Sequence, residues 1–593
     1  MDNSQNPHSK FNPIRSIILA VGNGVLMGLA TAPLNLFPLA WVALVPLWLF
    51  VLERSTPKTQ QTKERRFWLL NPEFLFPLGW GMGYHGFSLA WITGLHPLTW
   101  LGMPWIASIA IALSCWLCIT LWGAVFVVLW AWATLKLLSA APAQPFLPSA
   151  LHSPPSALPL SPPPSLFTRL LLGTALWCGL EWLWSLSPLW WTALAFTQSP
   201  GNLAILHLGR LSGPATVTAA IVAVNGIFAA LWRQVKMQKG EGKRQNALKP
   251  LTLNIAFLIV LHLAGFVLYS QPLVQAPGTT FKIGIIQGNI PTRIKLTPTG
   301  IRQAESRYTT GYEQLVEQGA EAVLTPEGAL PFLWDGTNQR NSSFYQAVLR
   351  KGVVAWLGTF TLEDGGVARS LLTIAGTGET VSRYDKIKLV PLGEYIPLRN
   401  LLGGLIGLLS PIELDGTAGT LNQQMDTPVG RAIASICYDS AFPQVFQTQA
   451  ARGGEFILTA SNLDPYNEVL MAQHQAQDLM RAIETDRWAA RATNTGYSGI
   501  IDPHGHIVWR SEPWRSEPWR SEPWRSEPWR SESIGRSQPN TYQIHADSLY
   551  RRQTRTLYVR WGDWLTPLLL GLAFLLVLGH YFRQERSRRI HQG

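Results

Sequence analysis

RYDKIKLVPLGEYIPL, residues 383–398, sets one lysine, Lys386, between a short β-rich run and a loop punctuated by Pro and Gly. Two other segments have the same form. TPEGALP, residues 325–331, places Glu327 just past the apolar run ending at Leu324, and ICYDS, residues 436–440, places Cys437 at the end of Ala432–Ile436. Around them, strand candidates at Lys282–Gln287, Ala322–Thr325, Val353–Thr359, Arg431–Cys437 and Phe456–Ser461 alternate with helical stretches, and Glu468 to Thr493 reads as one helix. That order predicts an α/β domain spanning roughly 281–545. Reactive groups in such domains lie on loops beyond strand ends, where Glu327, Lys386 and Cys437 all stand. Taken singly each has a plain reading: a solvated loop carboxylate, a surface lysine, a buried small thiol. Spacing alone does not bring them together.

The flanks are of another kind. With 14% charged residues, 27 Trp and a mean hydropathy of +0.10, the chain does not have an ordinary soluble composition. Crossing a hydrocarbon core takes roughly 20 helical residues. Runs near 16–32, 36–53, 74–95, 104–135, 168–186, 204–232, 251–270 and 563–582 predict about eight spans: seven in an N-terminal membrane domain, residues 1–270, and one after the α/β domain. The first follows Lys10 and Arg15 like a signal peptide but is read as a retained anchor, because Pro33 follows its only A-x-A-like site. Lys and Arg cluster before the first run, at 54–66, at 233–249 and in the tail 583–593, whereas 33–35, 96–103 and 187–203 carry no formal charge. This places both termini in the cytoplasm and residues 271–562 outside. The net charge of +12 is then largely topological, so it does not argue for nucleic acid as a partner.

Two biased segments read as accessories. Residues 140–166 form a Pro-rich linker on the cytoplasmic side, and 509–532 hold a perfect SEPWR repeat, a period that fits neither helix nor strand. Cys115, Cys118 and Cys178 fall in apolar runs and read as packing residues, which leaves Cys437 as the only thiol of the α/β domain and therefore a reactive candidate. Glu181 and Arg210 are ionisable residues within apolar runs; they pair, line a polar path, or lie near the outer interface. His85 and His96 read as packing or interfacial groups. No zinc signature or phosphate loop is present, and no metal or cofactor is expected.

TPEGALP, RYDKIKLVPLGEYIPL and ICYDS, in that order, resemble the Glu-Lys-Cys pattern of the nitrilase superfamily. Spans before and after the domain, with APLNLFPLAWVALVPL at 32–47, make the whole chain similar to the apolipoprotein N-acyltransferase family. The resemblance implies an αββα sandwich with Glu327 as general base, Lys386 as oxyanion partner and Cys437 as nucleophile. Glu394 would support them, with Tyr438 and Asp439 directly after the nucleophile. It further implies a bacterial inner-membrane enzyme, taken as a monomer, with its catalytic domain in the periplasm. That enzyme takes an acyl chain from a phospholipid and passes it to the N-terminal amine of a diacylglyceryl-cysteine apolipoprotein. Two positions depart from the family pattern: Asp439 stands where Glu is common, and SNLDPY at 461–466 replaces a segment like SNDAWFG. A thiol with an ordinary pKa of about 8.5 needs a nearby base or cation to react, and Glu with Lys supplies both. Two other readings compete: a membrane-tethered amidase that releases the acyl group to water, and a non-catalytic scaffold. Retention of all three residues argues against the scaffold.

Overall fold

The computed structural model describes residues 13–55, 72–98, 103–139, 164–240, 248–363, 366–395, 416–511 and 542–592. The SEPWR repeat from residue 512 onward, most of the Pro-rich linker and Pro397 lie outside these residues.

Five of the eight apolar runs form helices long and apolar enough to cross a membrane: Phe37–Arg54, Trp105–Leu138, Leu166–Ser185, Pro214–Lys236 and Leu565–Arg583. The other three form the helices Pro13–Leu29, Pro72–Ser88 and Leu248–Tyr269, of which the first and last have apolar stretches of shorter length. The run at 204–232 is not continuous. Leu203–Leu206 and Gly209–Ser212 are single turns, Gly213 has φ +68°, and the spanning helix starts at Pro214, because a left-handed glycine followed by proline ends one helix and opens the next. Glycines allow Pro13–Leu29 and Pro72–Ser88 to pack backbone to backbone. A Cβ on Gly24 would lie 2.0 Å from the Trp80 carbonyl oxygen, and one on Gly83 2.2 Å from that of Val21.

Between Thr280 and Tyr550 the chain builds two six-stranded sheets. The first contains β1 (Thr280–Gln287), β2 (Ala322–Leu324), β3 (Val354–Glu363), β4 (Gly366–Ile374), β5 (Thr380–Asp385) and β12 (Gln543–Tyr550), in the order β12-β1-β2-β3-β4-β5. The second contains β6 (Met425–Thr427), β7 (Gly430–Ile436), β8 (Phe456–Ser461), β9 (Ala489–Thr493), β10 (Gly499–Ile501) and β11 (Ile507–Arg510), in the order β11-β10-β9-β8-β7-β6. The parallel triplets β1-β2-β3 and β7-β8-β9 are the middles of the sheets. Phe281 and Phe456 meet between the sheets at 5.1 Å, with Trp356 5.9 Å from Phe456.

Helices cover the outer faces. Pro298–Glu317 buries Ala304, Tyr308, Tyr312 and Leu315 on one stripe against the first sheet, the i, i+4, i+8, i+11 pattern of an amphipathic helix. Pro443–Ala451 and Glu468–Thr485 cover the second sheet, which completes an αββα sandwich. Glu468–Thr485 is shorter than the sequence suggests: Asp486 turns left-handed at φ +57°, and Ala489–Thr493 is β9, fully buried between β8 and β10. The AARAT run has no strand-like alternation because both of its faces are covered.

The same helix docks the sandwich onto the membrane domain. Gln473 donates to the Ser88 carbonyl (3.1 Å) and accepts from the Trp191 indole (2.7 Å), and Ser199 donates to the Ala476 carbonyl (2.7 Å). Glu181 and Arg210 do not pair with each other. Glu181 accepts from Thr218 (2.7 Å) and from the Leu194 amide (3.2 Å), while Arg210 reaches across to Asp486 at 3.3 Å. His85 contacts the Thr192 hydroxyl and His96 that of Ser108, both as packing residues.

Candidate active site

Three strand ends converge where the sheets face one another. Glu327 follows β2, Lys386 follows β5, and Cys437 follows β7, so residues 59 and 51 positions apart along the chain share one buried site. Lys386, 1% exposed, places its Nζ 2.9 Å from Glu327 Oε1 and 2.7 Å from Glu394 Oε1. Arg369 Nε lies 3.0 Å from the same Glu394 oxygen, and the Val390 amide donates to Glu394 Oε2 at 2.9 Å. One ammonium thus stands between two carboxylates, one of which is neutralised from behind by a guanidinium.

Cys437 opens a 3-10 turn, Cys437–Ala441, with φ +49°. A non-glycine residue in this region is strained and must be held by its surroundings. His474 Nε2 holds it, donating to the Cys437 carbonyl at 2.9 Å. That carbonyl only accepts, so the proton is on Nε2, and His474 Nδ1 accepts from Arg491 Nη1 at 2.7 Å. Arg491 also contacts Asp478. Burial, then the Arg491 charge, pushes the His474 pKa well below the ordinary value, so it acts as a neutral brace.

Asp439 ties the turn to the Lys386 loop. Its carboxylate accepts from the Ile436 amide (3.1 Å), the Lys388 amide (2.7 Å) and the Tyr384 hydroxyl (3.0 Å). Burial lifts this carboxyl to about 6 against the pull of those donors and of Lys386. The shorter acid therefore satisfies several donors by itself. Asp439→Ala leaves the buried Ile436 amide and Tyr384 hydroxyl and the half-buried Lys388 amide unpaired, each buried donor costing about 1–3 kcal/mol; a drop of at least about 2 kcal/mol in denaturant-unfolding stability is expected, with Asp439→Asn falling between it and the parent.

Tyr438 faces the other way. Its hydroxyl donates to the carbonyls of Pro188 (2.8 Å) and Trp190 (3.0 Å) in the membrane domain, and its ring stacks on Trp191 at 5.8 Å. The residue beside the thiol is thus a domain-docking group.

The electrostatics favour a resting thiol beside an ionised carboxylate. Burial, the Glu327 and Glu394 charges push the Cys437 thiol up to about 12, opposed by Lys386 and by the Asn462 amide. Burial also raises the Glu327 carboxyl, but Lys386, with Arg369 and Lys295, outweighs it and holds the group below the usual carboxylate range. The same two carboxylates overcome burial at Lys386 and hold it well above the ordinary lysine value. Asn462 links the carboxylate and the thiol, since its amide donates to Glu327 Oε2 at 3.1 Å and also reaches Cys437.

Two pH effects follow. Alkylation of Cys437 by a neutral reagent keeps rising through pH 10 instead of levelling off as an ordinary thiol does above about 9, read by intact mass against time. Because Glu327 is depressed in the fold, it contributes stability above its unfolded pKa, which is lost as pH falls through the folded value. Acid unfolding of the parent is therefore steeper than that of Glu327→Gln.

Sequence reasoning did not find Arg369, His474, Arg491 or Lys295. Lys295, buried, donates to the Glu327 carbonyl at 3.0 Å, and burial lowers its pKa to about 8 against Glu327 and Asp464. The one available signal was His474 with Asp478, four apart and so on one face of a helix. In the departing segment 461–466, Asp464 Oδ2 accepts from the Thr292 amide (2.6 Å), and Tyr466 packs edge-on against Trp91 at 5.5 Å. Burial, then the nearby Cys437, raises the Tyr466 hydroxyl, which places that aromatic ring at the site.

Comparison with known proteins gives matching results from both parts of the chain. Residues 283–518 match the carbon-nitrogen hydrolase family, and residues 23–227 match the apolipoprotein N-acyltransferase N-terminal domain. An apolipoprotein N-acyltransferase of Nostoc sp. is 48% identical over 93% of this chain and 96% of its own length. One of Synechocystis sp. is 44% identical over 92% and 96%. Among solved structures, Nit3 of Saccharomyces cerevisiae is 13% identical and covers 47% of this chain and 93% of its own, with a TM-score of 0.33. With identity this high along nearly the whole length of both relatives, the chain belongs to the apolipoprotein N-acyltransferase family of membrane acyltransferases.

Proposed function

We propose that the protein transfers a fatty acyl chain from a membrane phospholipid, through a thioester on Cys437, to the N-terminal amine of a diacylglyceryl-cysteine apolipoprotein. One observation carries this reading: a buried thiol, beside an ionised carboxylate and an ammonium, lies next to a tyrosine that docks on the membrane domain. In the first half-reaction Glu327 takes the thiol proton while sulfur attacks the ester carbonyl. Lys386 and nearby backbone amides stabilise the oxyanion. Collapse breaks the ester C–O bond, and Glu327 returns its proton to the lysophospholipid oxygen. In the second half, the amine attacks the thioester and Glu327 accepts the amine proton. The C–S bond breaks, the proton passes to sulfur, and the thiol is restored with an amide formed. An α-amine with an ordinary pKa near 8 is partly neutral at physiological pH and suits this role.

Residues 1–270 then serve as the membrane domain, 281–545 as the catalytic domain and 563–582 as the returning helix. The basic clusters at 54–66, 233–249 and 583–589 favour cytoplasmic termini and a periplasmic active site in the inner membrane. The test is to incubate the purified protein, and Cys437→Ala, with phospholipid carrying a labelled acyl chain, and then to add a diacylglyceryl peptide. An acyl adduct on the parent only, discharged to the peptide's N-terminus, is expected. Discharge to water alone would establish the amidase reading instead, and no adduct in folded protein would overturn both.

A further inference from the structure

Away from Cys437, the turn between β10 and β11 carries Asp502-Pro503-His504-Gly505-His506. Asp502, His504 and His506 each offer one ligand atom, and these atoms all lie within 4.8 Å of one another. Asp502 organises the turn: Oδ1 accepts from the amides of His504 (2.9 Å) and His506 (2.8 Å), and Oδ2 lies 2.9 Å from His506 Nδ1. Two imidazole edges face the membrane domain, His504 Nε2 at 2.9 Å from the Gln271 carbonyl and His506 Nε2 at 2.9 Å from the Tyr269 hydroxyl.

A third imidazole stands against this turn from the membrane side. His207 is fully buried, with its ring 5.7 Å from that of His504 and 5.2 Å from that of Tyr269. Its Nδ1 donates to the Leu203 carbonyl at 2.8 Å, while its Nε2 is buried with no hydrogen-bond partner. A histidine fixed in this way by a backbone carbonyl presents a lone pair on the other nitrogen, the form that ligates metals. What sets this unpartnered nitrogen apart from that of His85 is its neighbourhood, because the His207 ring stands 5.7 Å from that of His504 in the turn.

We propose that Asp502, His504, His506 and His207 bind a divalent transition ion of the zinc class. Imidazole nitrogens with one carboxylate are a zinc donor set, and tetrahedral bonds of about 2.0–2.1 Å set neighbouring donors about 3.3 Å apart. The ligand atoms of Asp502, His504 and His506 already lie within 4.8 Å of one another, so a contraction of the turn brings these three to that spacing, and His207, with its ring 5.7 Å from that of His504, completes the set by moving toward the turn. The ion takes the position of the proton between His506 Nδ1 and Asp502 Oδ2, and that proton leaves to solvent. Asp502, His504 and His506 belong to the sandwich and His207 to the membrane domain, so the ion ties the two together at the end of helix Leu248–Tyr269.

The test uses the full chain in detergent micelles, stripped with a chelator and titrated with zinc chloride against a chromogenic competitor. One equivalent of zinc is expected on the parent and on Cys437→Ala, at least tenfold weaker binding by a His504→Ala/His506→Ala variant, and a zinc-induced rise in melting temperature that this variant lacks. With cobalt chloride, the parent gives a tetrahedral absorption spectrum that His207→Ala alters. Because the turn is on the surface, His506→Gln, checked for an unchanged metal-free melt, serves as a second variant. Absence of binding by the parent, binding unaffected by the turn substitutions, or loss confined to Cys437→Ala would each overturn the proposal.

Discussion

Lys386→Met lowers the rate of acyl-adduct formation by about 10²–10³-fold, the cost of removing one donor from a developing oxyanion, and also destabilises the protein. The second effect follows from the position of the ammonium, 2.9 Å from Glu327 and 2.7 Å from Glu394 in a site where it is itself 1% exposed. Its removal leaves two buried carboxylates facing each other with Arg369 and Lys295 as the remaining cations. Breaking a buried ion pair from one side costs about 3–5 kcal/mol. Part is recovered if a carboxyl takes up a proton, so the loss is expected to shrink as pH is lowered. Denaturant unfolding at two pH values, beside the adduct rate, measures both effects. An adduct rate within tenfold of the parent would remove Lys386 from the chemistry and leave it a purely structural charge.

The outline of the sandwich was legible because its central strands are apolar runs bounded by turn residues, as at Phe456–Ser461, where expectation and strand coincide. The run ends singled out Glu327 and Cys437, but it was the resemblance of TPEGALP, RYDKIKLVPLGEYIPL and ICYDS to a known pattern, and not spacing, that grouped them with Lys386. What sequence alone could not give was where buried polarity goes. The helix Glu468–Thr485 carries Gln473, His474, Gln477, Asp478, Arg481 and Glu484, a composition that suggests a solvated face, yet all six are buried. One side braces Cys437 through His474, and another meets Ser88 and Trp191 of the membrane domain. Leu470, Met471, Leu479, Met480 and Ile483 give this helix an apolar stripe, and the AARAT run that follows is buried on both faces and so lacks strand-like alternation, which is why the helix end was placed at Thr493 instead of Thr485. Arg210 stood out in the sequence, but its partner did not, because Asp486 lies 276 residues away, across the domain junction.

The continuity from Tyr438 to the membrane domain has a mechanistic consequence. Cys437 is braced from behind by His474, whose helix docks on Ser88 and Trp191, and Tyr438 stacks on that same Trp191. The geometry at Cys437 is therefore set partly by residues of the membrane domain.

Glu327→Gln separates chemistry from stability. The substitution gives up the stability that ionised Glu327 contributes at neutral pH but leaves Lys386 paired with Glu394 at 2.7 Å, so the folded state keeps a compensated ion pair and its melting temperature is expected to fall by less than that of Lys386→Met. The chemistry is not spared. With the thiol pushed up to about 12, very little thiolate exists at neutral pH without a base to take its proton, and general-base catalysis is worth about 10²–10⁴-fold. The amide also meets a conflict, since Glu327 Oε1 and Oε2 both accept, from Lys386 and from the Asn462 amide, whereas glutamine can accept on only one side. Its NH₂ group then points at a donor and displaces the Asn462 amide from the thiol. A fall of about 10³-fold in adduct formation, with a smaller loss of melting temperature than in Lys386→Met, is the expected result. Lys386→Met should lose rate and much stability together, and Glu327→Gln mainly rate; a Glu327→Gln enzyme that still acylates Cys437 at the parental rate would require another base, for which buried Lys295, lowered to about 8 and bonded to the Glu327 carbonyl, is the alternative.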